Sequence, residues 1–329
     1  MNYNFDLPTD RRGTYSLKWD VAANELPMWV ADMDFETAPE IKEAIQKRAG
    51  HGVFGYTVVP EEWYRAIEDW WQVRHHFHME KEWMIFCTGV VPAISSIVRK
   101  MTTVGEKIVL LTPVYNIFFN SIVNNGRYVL ECPLRYENGE YSIDFCELEA
   151  KLADPQTSMM LFCNPHNPVG KIWDRHTMEK IGHLRHKVWR GLNTDEAAEP
   201  NVFAMSAAIA AWRNGAPWLE ELRKYLYENK REAAEFLGTQ IPEVSLVSSE
   251  ATYLLWIDCR RITEKDVELK DFLRRETGLY LCEGSEYGKA GEGFLRMNAA
   301  CPRERLKDGL MRLKRGIEAF VRLPERRIQ

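Results

Sequence analysis

Short apolar runs and helical periodicity alternate along the first half of the chain. The runs at residues 83–87, 107–112, 127–132 and 159–163 read as buried strands. Residues 88–94 turn the first run into a helix ending near Met101, and residues 117–124, 144–153 and 175–187 read as helices. Strand and helix in alternation predict an α/β fold, a parallel sheet covered by helices. Two more helices come first. One opens at Pro39 and places Ile41, Ala44 and Ile45 at helical spacing. The other starts at Pro60, carries Trp63, Ile67, Trp70 and Trp71 on neighbouring turns, and ends in His75-His76-Phe77-His78.

After the helix at 175–187 the alternation stops. Residues 189–197 form a polar connection, and 201–237 read as helix throughout, so the sheet is too small for the helices offered to it. Beyond Pro242 the pattern changes to α+β, with strands at 244–247, 253–257 and 294–298 and helices at 264–276 and 303–322. The expected organisation is an arm over residues 1–40 that packs on the small domain, a large domain over 41–241, and a small α+β domain over 242–329.

The strand at 159–163 runs into Asn164-Pro165-His166-Asn167-Pro168-Val169-Gly170. Proline lacks an N–H and forces the preceding residue out of the helical region, so two Asn-Pro pairs impose an extended turn. In an open α/β sheet that end of a strand is where ligands sit. Taken alone, the turn is equally well a rigid connection with no chemistry.

Composition narrows the function classes. The chain has 329 residues, 43 basic against 48 acidic side chains, and a net charge of −5. A mildly acidic chain without a long basic block argues against nucleic acid as a partner. No apolar run approaches the length of a membrane span, and the amino terminus lacks a signal-peptide pattern. Seven scattered cysteines without a CxxC pair point to free thiols and a cytoplasmic location. The histidine cluster at 75–78 lacks the carboxylates or cysteines that would complete a metal site, and reads as cations at a helix carboxyl end.

Three strand ends carry candidate chemistry. Thr88-Gly89-Val90-Val91-Pro92 is a strand, a glycine and then a helix start, where free N–H groups favour a phosphate. Tyr115 follows the next strand and can stack on a flat ring or sit in the core. Asn167 offers an amide at the same edge. Arg296 stands between apolar residues in Gly293-Phe294-Leu295-Arg296-Met297-Asn298. An arginine there is costly unless paired, and it can hold a substrate carboxylate or an internal acid.

These stretches resemble the pyridoxal-phosphate (PLP) enzymes of the class I/II aminotransferase fold, in the cystathionine β-lyase or C–S lyase branch. Met28-Trp29-Val30-Ala31-Asp32-Met33-Asp34-Phe35, Gly52-Val53-Phe54-Gly55-Tyr56, Gly89-Val90-Val91-Pro92-Ala93, residues 163–170, Glu199-Pro200-Asn201-Val202-Phe203, Glu250-Ala251-Thr252-Tyr253-Leu254 and residues 293–303 carry the likeness in the family's order. The resemblance implies that Gly89 and Val90 give amides to the cofactor phosphate and that Tyr115 stacks on the pyridine ring. It implies that Asn167 bonds the ring's phenolic oxygen and also lines the substrate site. Arg296 would hold the α-carboxylate of a small amino-acid substrate. Tyr56 would reach the phosphate of a neighbouring subunit, which implies a homodimer.

The chain departs from the family between the Asn-Pro turn and the Glu-Pro-Asn segment. Family members carry there a strand ending in the Asp that pairs with the ring nitrogen, and a Ser-x-x-Lys turn whose Lys forms the Schiff base. Here Gly182-His183-Leu184-Arg185-His186-Lys187-Val188 runs almost directly into Arg190-Gly191-Leu192-Asn193, as though a segment were lost near 188–191. Lys187 and Lys171 lie in charged surroundings and are not expected to substitute. Asp195 and Glu196 follow no strand and are poor stand-ins for the Asp. No catalytic residue is therefore assigned, and covalent cofactor attachment is not expected. The expectation is a relative of the lyases that releases thiol, pyruvate and ammonia by α,β-elimination, inactive or strongly impaired as written. The alternatives are a non-catalytic remnant or regulatory protein of the same fold, and a class I/II aminotransferase.

Overall fold

The computed structural model describes residues 3–181 and 200–323. Helices α1 (Pro39–Gly50) and α2 (Glu61–His75) come first. Both pack on a later helix, Ala204–Asn214. His76 caps α2 in the left-handed conformation, so the histidine cluster ends the helix as its sequence suggests.

The expected strand at 83–87 is not found. Lys81–Trp83 forms a short 3-10 turn, and residues 84–87 carry no regular secondary structure and pair with no described strand. An apolar run becomes a strand only when a neighbour supplies its backbone partners. Here Phe86 finds an aromatic contact, edge-on to Trp63 at 5.9 Å, and no ladder.

Helix α3 (Val90–Met101) follows, and then the parallel sheet. Its central strand, β1 (Lys107–Thr112), lies between β2 (Tyr128–Pro133) and β3 (Thr157–Leu161), both parallel to it. β3 ends two residues earlier than its apolar run. Residues 108–111 are buried, as a central parallel strand covered on both faces requires. Ile108 and Leu110 meet α3 and α4 (Ile117–Val123) through Ile94, Val98, Phe118 and Ile122. Val109 and Leu111 face the opposite cluster, with Leu148 of α5 (Phe145–Leu152) and Trp173.

Beyond α6 (Arg175–Ile181), α7 (Ala204–Asn214) and the long α8 (Ala216–Gln240), a four-stranded sheet forms. Its order is β6 (Cys282–Glu283), β7 (Phe294–Asn298), β5 (Leu254–Asp258) and β4 (Ser245–Leu246), antiparallel throughout. Side chains alternate across it, as the pleat demands. Leu255, Ile257, Leu295 and Met297 pack on α9 (Asp266–Thr277), α10 (Arg303–Val321) and the end of α8. Trp256 and Phe294, stacked at 5.1 Å, face the cluster of the parallel sheet. Arg296 lies opposite Trp256 in the register and shares that face.

The arm closes the fold. Trp19, Leu26 and Met28 enter the core of the antiparallel sheet. Leu26 and Met28 donate to the carbonyls of Gly278 and Tyr280, and Asn298 donates back to Met28 at 2.8 Å. Asp34 is buried against Lys18 at 3.1 Å, Arg11 at 2.9 Å and Arg305 at 3.0 Å, with the indole N–H of Trp19 at 2.9 Å. These cations and the indole overcome the burial cost and hold its carboxyl below the usual range.

Candidate active site

The Asn-Pro turn is fixed by a histidine that sequence reasoning did not single out. His166 is fully buried. Its Nε2 lies 3.0 Å from the carbonyl of Pro113, and its Nδ1 accepts from the indole N–H of Trp173 at 3.3 Å. One nitrogen must donate and the other accept, which requires the neutral ring. Burial agrees, since it pushes the imidazole down to about 4. The His166 N–H donates to Lys171 at 2.8 Å, and the Gly170 N–H to the His166 carbonyl at 2.7 Å. The turn at the end of β3 is thus pinned to the loop after β1, two residues before Tyr115. Tyr115 and Asn167 stand at the ends of adjacent parallel strands, as their places in the sequence suggest. Tyr115 is half-buried and meets Phe118 edge-on at 5.9 Å.

Arg296 reaches this edge from the other sheet. It is only 5 % exposed. Its guanidinium donates to the Trp29 carbonyl at 2.9 Å and lies 3.5 Å from both the Asn167 side-chain oxygen and the Cys282 Sγ. It stands 4.9 Å over the Tyr287 ring. Among the described residues no carboxylate pairs with it, and its Nε has no hydrogen-bond partner. The internal acid that the sequence left open makes no ion pair or hydrogen bond here, and Glu286 acts on the guanidinium only through its charge. What remains is a buried, oriented cation with spare donor capacity. Trp29 is held in turn, because Tyr253 donates to the Ala31 carbonyl at 2.6 Å and Asn298 donates to the carbonyls of Val30 and Asp32 at 2.7 and 2.8 Å.

Gly89 opens α3 with extended backbone and no side-chain cap, and Val90 is exposed. The first N–H groups of α3 are therefore free for an anion, although the segment before them is unpaired and not a strand end. α3 packs on α4, the helix that follows Tyr115. Tyr56 is fully exposed on the loop after α1. Lys171 pairs with Glu250 at 3.9 Å, the charged setting expected of it. Lys187, Asp195, Glu196 and the junction at 188–191 lie outside the described residues. Trp29, His166 and Tyr253 lie within stretches that the sequence offered. Tyr287 and Cys282 gave no sequence signal.

This arrangement places an oriented arginine, an amide, an aromatic ring and a free helix amino end around two adjoining sheets. The family described as aminotransferase class I and II matches residues 24–197 and 200–313. The chain belongs to that family. Within it, the chain is 35 % identical to cystathionine beta-lyase PatB of Bacillus subtilis, covering 94 % of this chain and 99 % of PatB. It is 30 % identical to protein MalY of Escherichia coli, covering 96 % of this chain and 99 % of MalY. The chain is thus a relative of the cystathionine β-lyases. Among solved structures, cystalysin from Treponema denticola, which contains pyridoxal 5'-phosphate, superposes with a TM-score of 0.89 at 27 % identity. That likeness covers 97 % of this chain and all of cystalysin. The α/β fold is that of the PLP-dependent aminotransferase-fold proteins.

The residues present fit that cofactor and its substrate at two points. The orphaned Nε of Arg296, a cation without an ion-pair partner among the described residues, suits a carboxylate, and the uncapped start of α3 suits a phosphate.

Proposed function

We propose that the chain binds pyridoxal phosphate and the α-carboxylate of a small amino acid, and that it does not carry an elimination through. The observation that carries the reading is Arg296, buried without an ion-pair partner among the described residues and 3.5 Å from Asn167. Leaving such a cation empty is expensive, so a carboxylate ligand is its natural partner. In this reading Gly89 and Val90 hold the phosphate through their N–H groups, Tyr115 covers the ring face, and Asn167 bonds its phenolic oxygen. Tyr56 serves the site of a second copy, which makes the working unit a homodimer, and the free cysteines fit a cytoplasmic setting. When bound, pyridoxal phosphate supplies an electron sink for charge at the substrate α-carbon.

The missing half is the base that takes the α-proton. No serine stands between Gly170 and Pro200, so the family's Ser-x-x-Lys turn has no counterpart there. The alignment to PatB runs over 382 positions, more than the 329 residues of this chain, and so carries gaps on this side. Losing a general base alone typically costs about 10²–10⁴-fold in rate. An aminotransferase of this fold needs the same lysine, so that reading gains nothing from the site.

Intact mass after incubation with pyridoxal phosphate and borohydride reduction tests the proposal, beside an absorbance titration of the unreduced protein. Saturable binding with no lysine-linked mass increment, and no pyruvate from L-cystathionine, is the expected result. An increment mapped to a single lysine, with pyruvate released, would overturn the inactive reading. Absence of saturable binding would overturn the binding reading.

A further inference from the structure

On α8, the Lys230 ammonium sits in a ring of oxygens. Ser249 Oγ lies at 2.9 Å, the carbonyls of Ser249 and Thr252 at 3.2 Å, and that of Ala251 at 3.5 Å. No carboxylate is among these partners. Several carbonyls aimed at one point repel each other unless a cation stands there, and the ammonium fills that place. The loop needs the help. Thr252 is a non-glycine residue at φ 65, in the left-handed region.

The other side of this loop backs the Asn-Pro turn. The N–H groups of Glu250 and Ala251 both donate to the Gly170 carbonyl, at 2.9 and 2.8 Å. The Glu250 carboxylate accepts from the Ile172 N–H at 3.1 Å. Gly170 is pressed so close that a Cβ there would stand 2.2 Å from Ser249 Oγ. The next residue along, Tyr253, holds the arm through the Ala31 carbonyl. One loop thus touches both the turn that carries Asn167 and the arm that offers the Trp29 carbonyl to Arg296.

We propose that Lys230 is a positioning residue of the active site: by gathering the carbonyls of 249–252, it fixes Asn167 and Trp29 around Arg296. What the site binds rests on the reading given under Proposed function. The clamp itself can be tested without it.

Hydrogen exchange on the free protein is the decisive measurement. In Lys230→Met the amides of His166, Gly170, Glu250, Ala251 and Ile172 should exchange roughly tenfold faster, with β1 unchanged. Lys230→Arg should restore protection. Loosening confined to 249–252, with the His166 and Gly170 amides still protected, would overturn the proposal. Should Lys230→Met fail to fold, Ser249→Ala removes the 2.9 Å contact and is judged by the same amides. In a titration with pyridoxal phosphate, Lys230→Met should also saturate at roughly tenfold higher concentration. Faster exchange with unchanged affinity would reduce Lys230 to a structural residue and refute the positioning role. A wild-type protein that does not bind pyridoxal phosphate would sink the functional reading, and the exchange pattern would still decide the clamp.

Discussion

The Arg296 guanidinium touches a carbonyl, a thiol, an amide oxygen and an aromatic ring, and pairs directly with no acid among the described residues. A buried charge held this way is kept at the expense of stability. Arg296→Met should therefore leave the melting temperature unchanged or raise it, while weakening amino-acid carboxylate binding by about 100-fold, measured by calorimetry in the presence of pyridoxal phosphate. A large loss of stability would mean that the arginine is a structural cation after all. His166 makes the opposite bargain, because its buried ring must stay neutral. An unfolded histidine titrates near 6.5, and here the folded one titrates at about 4. Between those values the unfolded state binds more protons, so folding stability rises with pH across that window and is flat on either side. The full span is about 3 kcal/mol for this one ring. His166→Gln, which keeps a donor and an acceptor, should flatten that slope in urea midpoints recorded from pH 4 to 7. An unaltered slope would assign the pH response to other groups. At this scale the sequence showed Arg296 because an arginine between apolar neighbours is costly. It could not show that Trp29 supplies the carbonyl, since a backbone oxygen has no residue type to read.

Elements were legible where an apolar run finds a neighbour on each side. Lys107–Thr112 and Phe294–Asn298 form where their patterns put them, because each is central to its sheet and buried on both faces. The run at 83–87 is also apolar but pairs with no described strand, and beyond Trp83 it takes no regular secondary structure. Periodicity reports which face of an element is dry, and says nothing of whether a second strand exists to complete the ladder. The turn after β3 was visible through its prolines, but its anchor was not. Gly170 at φ 69, with Ser249 and the Ala251 carbonyl against it, joins the turn after β3 to the loop between β4 and β5. Gly170→Ala combines a left-handed backbone with a steric clash and should cost about 3 kcal/mol in chemical denaturation. A loss below about 1 kcal/mol would show that the loop at 249–252 yields easily.

On the scale of the whole molecule, side chains of both sheets, Val109 on one and Trp256 and Phe294 on the other, share one core with Trp173, and the arm adds Trp29 to it and Trp19, Leu26 and Met28 to the other. The order of elements and the change from α/β to α+β near Pro242 were readable because each sheet is built from consecutive segments. The arm was harder, since its partners stand at the far end of the chain. The bond between Trp29 and Arg296 spans 267 positions, and those from Asn298 to Val30 and Asp32 span 268 and 266. On a ribosome, then, the first wall of the carboxylate pocket emerges early and waits through nearly the entire course of translation for the residue that completes it. Amino-acid ligand cannot assist the folding of any nascent intermediate. It can only select among finished chains, and a carboxyl-terminal truncation ahead of β7 would leave the arm paired at Gly278 and Tyr280 with the Trp29 carbonyl facing no guanidinium.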